Sequence, residues 1–259
     1  MTLQLDARQR AMLAEMGIRL FDRPAAEADE PAPAIETRAL PVPVAPVRVP
    51  VATPVTERAA SHNPIPIGDR PAGVESMDWE SLEQAVASCQ ACGLCRGRRN
   101  TVFGVGDRQA DWMLVGEAPG ENEDLRGEPF VGNAGQLLDS MLRAIGRSRE
   151  RGVYIANVIK CRPPGNRNPE PGEVAQCEPF LRRQIALVKP RLILAMGRFA
   201  LQSLLQTQEP IGKLRGRLHA YEGVPVVVTY HPAYLLRNLP DKAKAWADLC
   251  LALDQSSQA

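Results

Sequence analysis

Four short apolar runs in the C-terminal part of this 259-residue chain constrain its fold more than any other feature. They read ADWMLVGEA, VYIANVIK, RLILAMG and VPVVVTYH, and such runs are typical of buried strands. Helical patterns separate them, over residues 135–145, 171–188 and 197–206. Strands that alternate with helices predict crossover connections, so we expect an α/β fold whose parallel sheet carries helices on both faces.

Three of the apolar runs are followed by polar segments that are rich in glycine or proline. These segments read GEAPGENED, KCRPPGNRNPEP and HPAYLLRN. Ligands bind at the carboxyl ends of the strands in such sheets, so the three segments predict one binding site. The first segment has neither a P-loop nor a dinucleotide-binding fingerprint. Its strand-end carboxylate, Glu117, is an acid–base or recognition candidate beside the glycines.

The cysteines predict a metal site. The N-terminus lacks the apolar core of a signal peptide and no run reaches the roughly 18 apolar residues of a membrane span, so we expect a cytoplasmic chain with few structural disulfides. Cys89 and Cys92 form a C-x2-C pair, and Cys161 and Cys177 follow at a distance. This pattern is typical of four-thiolate sites, but spacing alone does not separate zinc from an iron–sulfur cluster. Buried free cysteines are the alternative, which suits Cys250.

The chain divides into three predicted regions. Residues 1–22 predict a short amphipathic helix, and residues 23–75 a disordered linker rich in Pro, Ala and Val, with eleven of the 23 prolines. Residues 76–259 form the predicted folded domain. The N-terminal helix is either a recognition segment for a protein partner or, as the plainer interpretation, a loosely attached helix without one. Its apolar face consists of Leu5, Met12, Met16 and Leu20.

Charge follows the same division. Residues 1–83 carry 8 Arg and 13 acidic residues, a net charge of −5, which leaves 23 basic and 17 acidic residues, or +6, for the rest. A basic domain suits nucleic-acid binding, although solvated surface charge explains it equally well.

The motifs, taken together and in order, resemble those of the family 4 uracil-DNA glycosylases, the iron–sulfur enzymes of bacteria and archaea. The matching segments are CQACGLC, TVFGVGD, MLVGEAPGENED, GEPFVGNAGQLLD, VYIANVIKCRPPGNRNP and HPAYLLRN, within about residues 80–253. The resemblance implies a three-layer α/β/α sandwich with a central four-stranded parallel sheet. It also implies a [4Fe-4S] cluster, with Cys95 as a spare thiol and four ligands, Cys89, Cys92, Cys161 and Cys177.

The resemblance further implies an enzyme that flips uracil out of DNA and hydrolyses its N-glycosidic bond, leaving an abasic site. Phe130 is then the stacking platform for the base, and Asn157 pairs with uracil N3–H and O4. His231 stabilises negative charge on O2. Ala118 stands where the better-known uracil-DNA glycosylases have an aspartate, so we expect Glu123 to activate water and Glu117 to meet the C5 side of the base.

DNA contacts complete the prediction. We expect Leu235 and Leu236 to wedge into a base step and three arginines to contact phosphates: Arg162, Arg167 and Arg237. The substrate would be uracil-containing DNA, single- or double-stranded, and the protein a nucleoid-associated monomer. The alternative is a non-catalytic iron–sulfur module that binds DNA or a polymerase. We favour the enzyme because the pocket is complete, with Glu117, Phe130, Asn157 and His231.

Overall fold

The computed structural model describes residues 7–15 and 68–258. Within these residues the chain forms one mixed sheet with helices on both faces. The strands are β1 (Val105–Gly106), β2 (Trp112–Gly116), β3 (Val153–Asn157), β4 (Leu192–Met196), β5 (Leu218–Tyr221) and β6 (Val224–Thr229). The helices are α1 (Ala7–Glu15), α2 (Trp79–Ser88), α3 (Glu121–Arg126), α4 (Asn133–Ala144), α5 (Pro171–Val188), α6 (Arg198–Leu205), α7 (Ile211–Leu214), α8 (Pro232–Arg237) and α9 (Lys242–Gln258).

The four predicted strands are present and parallel, in the order β3-β2-β4-β6. The sheet has six strands rather than four, because β1 adds to β3 and β5 adds to β6 at the two edges, both antiparallel. Neither edge strand is a long apolar run. β1 contains only two residues, and β5 alternates exposed with half-buried positions, as an edge strand does.

The side chains of β2 show why the sheet has helices on both faces. Met113 and Val115 point into a core that is shared with α2, α5 and α6, whereas Trp112 and Leu114 point into a core shared with α4, α8 and α9. All four are fully buried. Because successive side chains of a strand alternate between faces, two apolar faces require a layer of helices on each side. The predicted α/β/α sandwich is confirmed.

The N-terminal helix α1 shows a buried side chain. Leu13 is buried, and Met12 packs against the core cluster that contains residues of α4 and α9. The other members of the predicted apolar face lie outside the described residues, and so do residues 23–67 of the predicted linker. A protein partner for this helix stays a prediction. Among the described helices, none combines the length and the apolar composition that crossing a bilayer requires.

Candidate active site

A cavity of about 740 Å³ opens at the carboxyl ends of the four parallel strands. Its walls come from the last residue of β3 and from the segments that follow β2, β3, β4 and β6. This is the position at which parallel sheets bind ligands. The structure brings eight of the predicted residues together there, namely Glu117, Ala118, Glu123, Phe130, Asn157, Arg167, His231 and Arg237.

Asn157 is the most unusual polar residue of the cavity. It ends β3 opposite Gly116 of β2, and only 2% of its surface is exposed. Its Oδ1 is buried and has no hydrogen-bond partner among the described residues. Leaving such an acceptor unpaired costs on the order of 1 to 3 kcal/mol. A buried, unpaired acceptor that lines a cavity is therefore placed to meet a donor on a ligand.

Phe130 forms a wall beside this amide. Its backbone has a φ of 55°, in the left-handed region that non-glycine residues seldom adopt. Its ring stacks on the imidazole of His231, with centroids 5.3 Å apart and planes inclined by 28°. A base between two rings requires two contact distances, roughly 7 Å in all, so no base fits between these two. A ligand base that contacts Phe130 therefore lies outside the gap between the two rings.

His231 follows β6 and caps the N-terminus of α8. Its Nδ1 accepts a hydrogen bond from the backbone N–H of Ala233 at 3.2 Å, so the neutral ring carries its hydrogen on Nε2. Burial lowers the pKa of His231 to about 4, Glu123 opposes this shift, and Arg237 adds to it. The imidazole is therefore uncharged at neutral pH and serves as a hydrogen-bond donor.

Glu117 is the first residue after β2. Its Oε1 accepts a hydrogen bond of 2.9 Å from the backbone N–H of Phe199, at the start of α6. Gly197 makes this approach feasible, because a Cβ there would lie 2.5 Å from Oε1. Burial raises the pKa of Glu117, and the bond from Phe199 partly offsets the rise. A cavity carboxylate with an elevated pKa is suited to taking or giving a proton.

Glu123 has a different environment. Its Oε2 accepts from the backbone N–H of Gly120 at 3.1 Å, and its Oε1 accepts from those of Val131 and Gly132 at 2.9 and 3.2 Å. The carboxylate thus joins the start of α3 to the segment just before α4. Both oxygens are engaged by backbone donors, two of which directly follow Phe130 in the chain.

Comparison with known proteins identifies the family of this chain. Residues 103–250 match the model of the uracil DNA glycosylase superfamily. The chain belongs to this superfamily. The matched region contains every cavity residue described above, from the end of β2 to α8.

Three similar curated proteins are all type-4 uracil-DNA glycosylases, so the predicted resemblance is confirmed. The protein of Archaeoglobus fulgidus is 44% identical over 171 residues, which cover 63% of this chain and 84% of that protein. The protein of Saccharolobus solfataricus is 46% identical over 168 residues, 61% of this chain and 77% of the relative. The protein of Thermotoga maritima is 46% identical over 161 residues, 61% of this chain and 83% of the relative.

The arginines that we predicted as phosphate contacts of this glycosylase-family chain differ in their surroundings. Arg167 forms two hydrogen bonds to Glu173, at 2.6 and 2.9 Å, which raise its pKa. Arg162 does not line the cavity and donates to Asn166 Oδ1 at 2.8 Å. Arg237 lines the cavity, and no carboxylate of residues 68–258 pairs with it. Among the three, Arg237 is the best placed to meet a phosphate.

The predicted wedge requires one correction. Leu235 is fully buried in the core cluster that contains residues of α4 and α9, so the prediction that its side chain reaches DNA is wrong. Leu236 is 41% exposed and Leu239 is 60% exposed. The short helix α8 turns one face to the core, and position 235 lies on that face. The exposed apolar surface beside the cavity therefore belongs to Leu236 and Leu239.

The predicted thiol ligands lie near one another. Cys89 caps the C-terminus of α2, Cys161 follows β3 and Cys177 lies in α5. Burial raises the pKa of Cys92 to about 11 and that of Cys177 to about 12. Cys92 is close enough to Cys89 and Cys161 for their charges to raise its pKa, and Cys161 and Cys92 raise the pKa of Cys177 in the same way. The thiols of Cys92 and Cys177 therefore hold their protons at neutral pH. No set of three His, Cys, Asp or Glu within the described ranges is arranged to hold a single metal ion.

The cavity residues that were not predicted from the sequence include Arg198 and Phe199. Arg198 and Phe199 begin α6, directly after β4, and both line the cavity; the guanidinium of Arg198 lies 4.6 Å from the centroid of the Phe199 ring. The sequence after β4 is GRFA, which lacks the clusters of glycine, proline and charged residues that follow the other strands. The available signal was the position itself, at the end of a parallel strand.

Proposed function

We propose that this chain is a uracil-DNA glycosylase, which extrudes uracil from DNA and hydrolyses its N-glycosidic bond to leave an abasic site. The observation that carries the proposal is the buried, unpaired Oδ1 of Asn157 in a cavity beside Phe130 and the neutral His231. The names of the similar type-4 proteins state the same activity. Extrusion is required because the bond is inaccessible in a stacked duplex.

Selection of the base follows from the amide of Asn157. Its oxygen accepts from N3–H of uracil and its nitrogen donates to O4, whereas cytosine presents an acceptor at N3 and a donor at N4. A buried amide that loses both partners with the wrong base discriminates well, because it stays unpaired. Phe130 supports the base by stacking, as expected from the sequence.

Cleavage of the glycosidic bond leaves negative charge on the uracil ring. The Nε2–H of His231 donates to O2 as that charge develops, and a neutral imidazole performs this without a proton transfer. Burial raises the pKa of Glu117, which accepts from the backbone at the start of α6, while both oxygens of Glu123 are engaged by three backbone donors. We therefore assign activation of the attacking water to Glu117 and support of the loop to Glu123, which reverses our expectation from the sequence.

We also propose that four thiolates, those of Cys89, Cys92, Cys161 and Cys177, hold a [4Fe-4S] cluster. Soft thiol donors suit iron–sulfur clusters, and each thiolate of such a cluster binds a separate iron, so the four need not converge on one ion. Cys161 begins the segment that continues to Arg167 at the cavity wall. A bound cluster thus supplies a structural anchor for that wall.

The experiment is an assay of uracil release. The purified chain is incubated with matched oligonucleotides that contain uracil or thymine at one position, single-stranded and paired, and then treated with alkali to cut abasic sites. We expect scission only at uracil. The His231→Ala variant is the control for a contaminating glycosylase. DNA binding without scission by the wild-type chain would refute the proposal and favour the non-catalytic module.

A further inference from the structure

The left-handed backbone conformation of Phe130 is not explained by the contacts that its ring makes in the cavity. A non-glycine residue in the left-handed region persists only where its surroundings fix it. Its ring must also stay in place, because it stacks on His231 and lies over Gly116, where a Cβ would be 2.6 Å from Cζ. The hydrogen bonds of Glu123 reach Val131 and Gly132 but not Phe130, so another group has to hold this residue.

Arg149 is that group. It lies in the turn between α4 and β3, and its guanidinium donates to the carbonyl oxygens of two successive residues. Nη1 donates to Pro129 O at 2.8 Å, and Nη2 donates to Phe130 O. These bonds fix the peptide groups on both sides of the Phe130 Cα. Since Arg149 does not line the cavity, it affects a ligand only through the residues that it holds.

Helix α4 fixes the guanidinium in turn. Asp139 Oδ1 accepts from Nε of Arg149 at 2.6 Å, and the arginine side chain is only 20% exposed. One helical turn earlier, Gly135 lies against the same carbonyl, since a Cβ there would be 1.7 Å from Phe130 O. Helix α4 thus provides both the surface on which the Phe130 carbonyl rests and the carboxylate that orients Arg149.

We propose that Arg149 is a positioning residue that sets the base-stacking ring of Phe130 at its working distance from Asn157 and His231. The inference rests on the proposed glycosylase function. Arginine suits the role because its planar fork presents three separate nitrogens to two carbonyls and a carboxylate, whereas a lysine has only one nitrogen. Loss of the fork lets Phe130 leave the left-handed region and moves its ring.

The test compares Arg149→Met with Arg147→Met, in the wild-type chain and in a Phe130→Leu background. Arg147 is a matched control from the same turn, because it donates to Gly152 O at 2.9 Å and stacks over Trp112, away from the cavity. Uracil release gives kcat/KM, affinity for the uracil-free strand reports DNA binding, and circular dichroism gives Tm. All activities are measured well below the lowest Tm.

We expect Arg149→Met to lower kcat/KM by about 10- to 100-fold, since a displacement of about 1 Å has effects of that order, with unchanged affinity for the uracil-free strand. In the Phe130→Leu background the same substitution should lower kcat/KM by less than about 3-fold, because the effects of substitutions at coupled residues are not additive. Arg147→Met should stay within about 2-fold of the wild type. Arg149→Lys, which keeps the charge but has a single donor nitrogen, should lie between Arg149→Met and the wild type.

Two results would overturn the inference. One is an Arg149→Met or Arg149→Lys enzyme that matches the wild type. The other is an equal loss in both backgrounds, which would show that Arg149 acts on the fold at large. If Arg149→Met does not fold, the Arg149→Lys comparison decides. A wild-type chain that releases no uracil would refute the proposed function itself, which is a different outcome.

Discussion

Gly116 offers the sharpest test of the cavity geometry. This residue ends β2, and its missing side chain leaves room for two groups of the site. A Cβ at this position would lie 2.4 Å from Asn157 Oδ1 and 2.6 Å from Phe130 Cζ. The substitution Gly116→Ala adds that single atom and changes nothing else, so its effect measures how closely the amide and the ring approach the sheet.

The magnitude follows from these distances. Ordinary carbon contacts begin near 3.5 Å, so the new methyl group would overlap both neighbours by about 1 Å. The backbone cannot yield easily, because Gly116 pairs with Asn157 and its carbonyl accepts from Val158 N at 3.0 Å. The amide and the ring must therefore shift into the cavity. We expect a loss of about 1 to 3 kcal/mol in the free energy of unfolding and of at least about 100-fold in kcat/KM.

The assay combines urea unfolding with uracil release from a single-stranded oligonucleotide. Gly172→Ala is the matched control, since a Cβ at that position in α5 meets nothing within 4 Å. Alanine there should leave activity unchanged and raise stability by roughly 0.5 kcal/mol, because it lowers the entropy of the unfolded chain. A Gly116→Ala enzyme with wild-type activity would refute the reasoning, since the base would then bind away from Asn157 and Phe130.

Three further predictions concern the same site and the thiols. Between pH 7 and 4.5 the wild type should lose about 2 kcal/mol more stability than His231→Gln. The pKa of His231 is 6.5 in the unfolded chain and about 4 in the folded one, so only the unfolded state binds the proton in that window. Urea titrations at both pH values measure this, and parallel curves would contradict it. Each Ser replacement at a proposed ligand should lower the iron content and the Tm, since cluster binding is coupled to folding. Cys95→Ser should leave both unchanged. An iron content that depends on Cys95 and not on Cys92 would overturn the assignment. Asn157→Asp should lose most uracil release and gain weak release of cytosine, measured on matched oligonucleotides, whereas undiminished uracil release would place base selection in backbone contacts.

Burial decides how much of the fold could be predicted. The four parallel strands are buried on both faces, so each appears in the sequence as a continuous apolar run. Strand β5 reads LHAY and lies half exposed at an edge, and such a segment resembles a loop. The two-residue β1 has no periodicity at all. Its pairing with β3 depends on tertiary contacts that the local sequence does not encode.

Site residues were predictable from the sequence where their chemistry differs from that of the neighbouring residues. Asn157 ends an otherwise apolar strand, and His231 stands directly before a proline at a strand end. Leu235 and Leu236 are identical neighbours, so only the packing of α8 decides which one is buried. The hydrogen bonds to Glu123 come from Val131 and Gly132, which lie across a loop whose path the sequence does not give.

The position of β6 has a consequence for synthesis on the ribosome. Strand β4 pairs with β6, which lies about 30 residues later in the chain. At roughly 5 to 20 residues per second, a nascent chain exposes β4 as an open apolar edge for about 2 to 6 s. His231 lies two residues after the end of β6, so the step that closes this edge also delivers the imidazole. Translation that stalls before β6 would leave a chain that is both prone to aggregate and unable to complete its catalytic site.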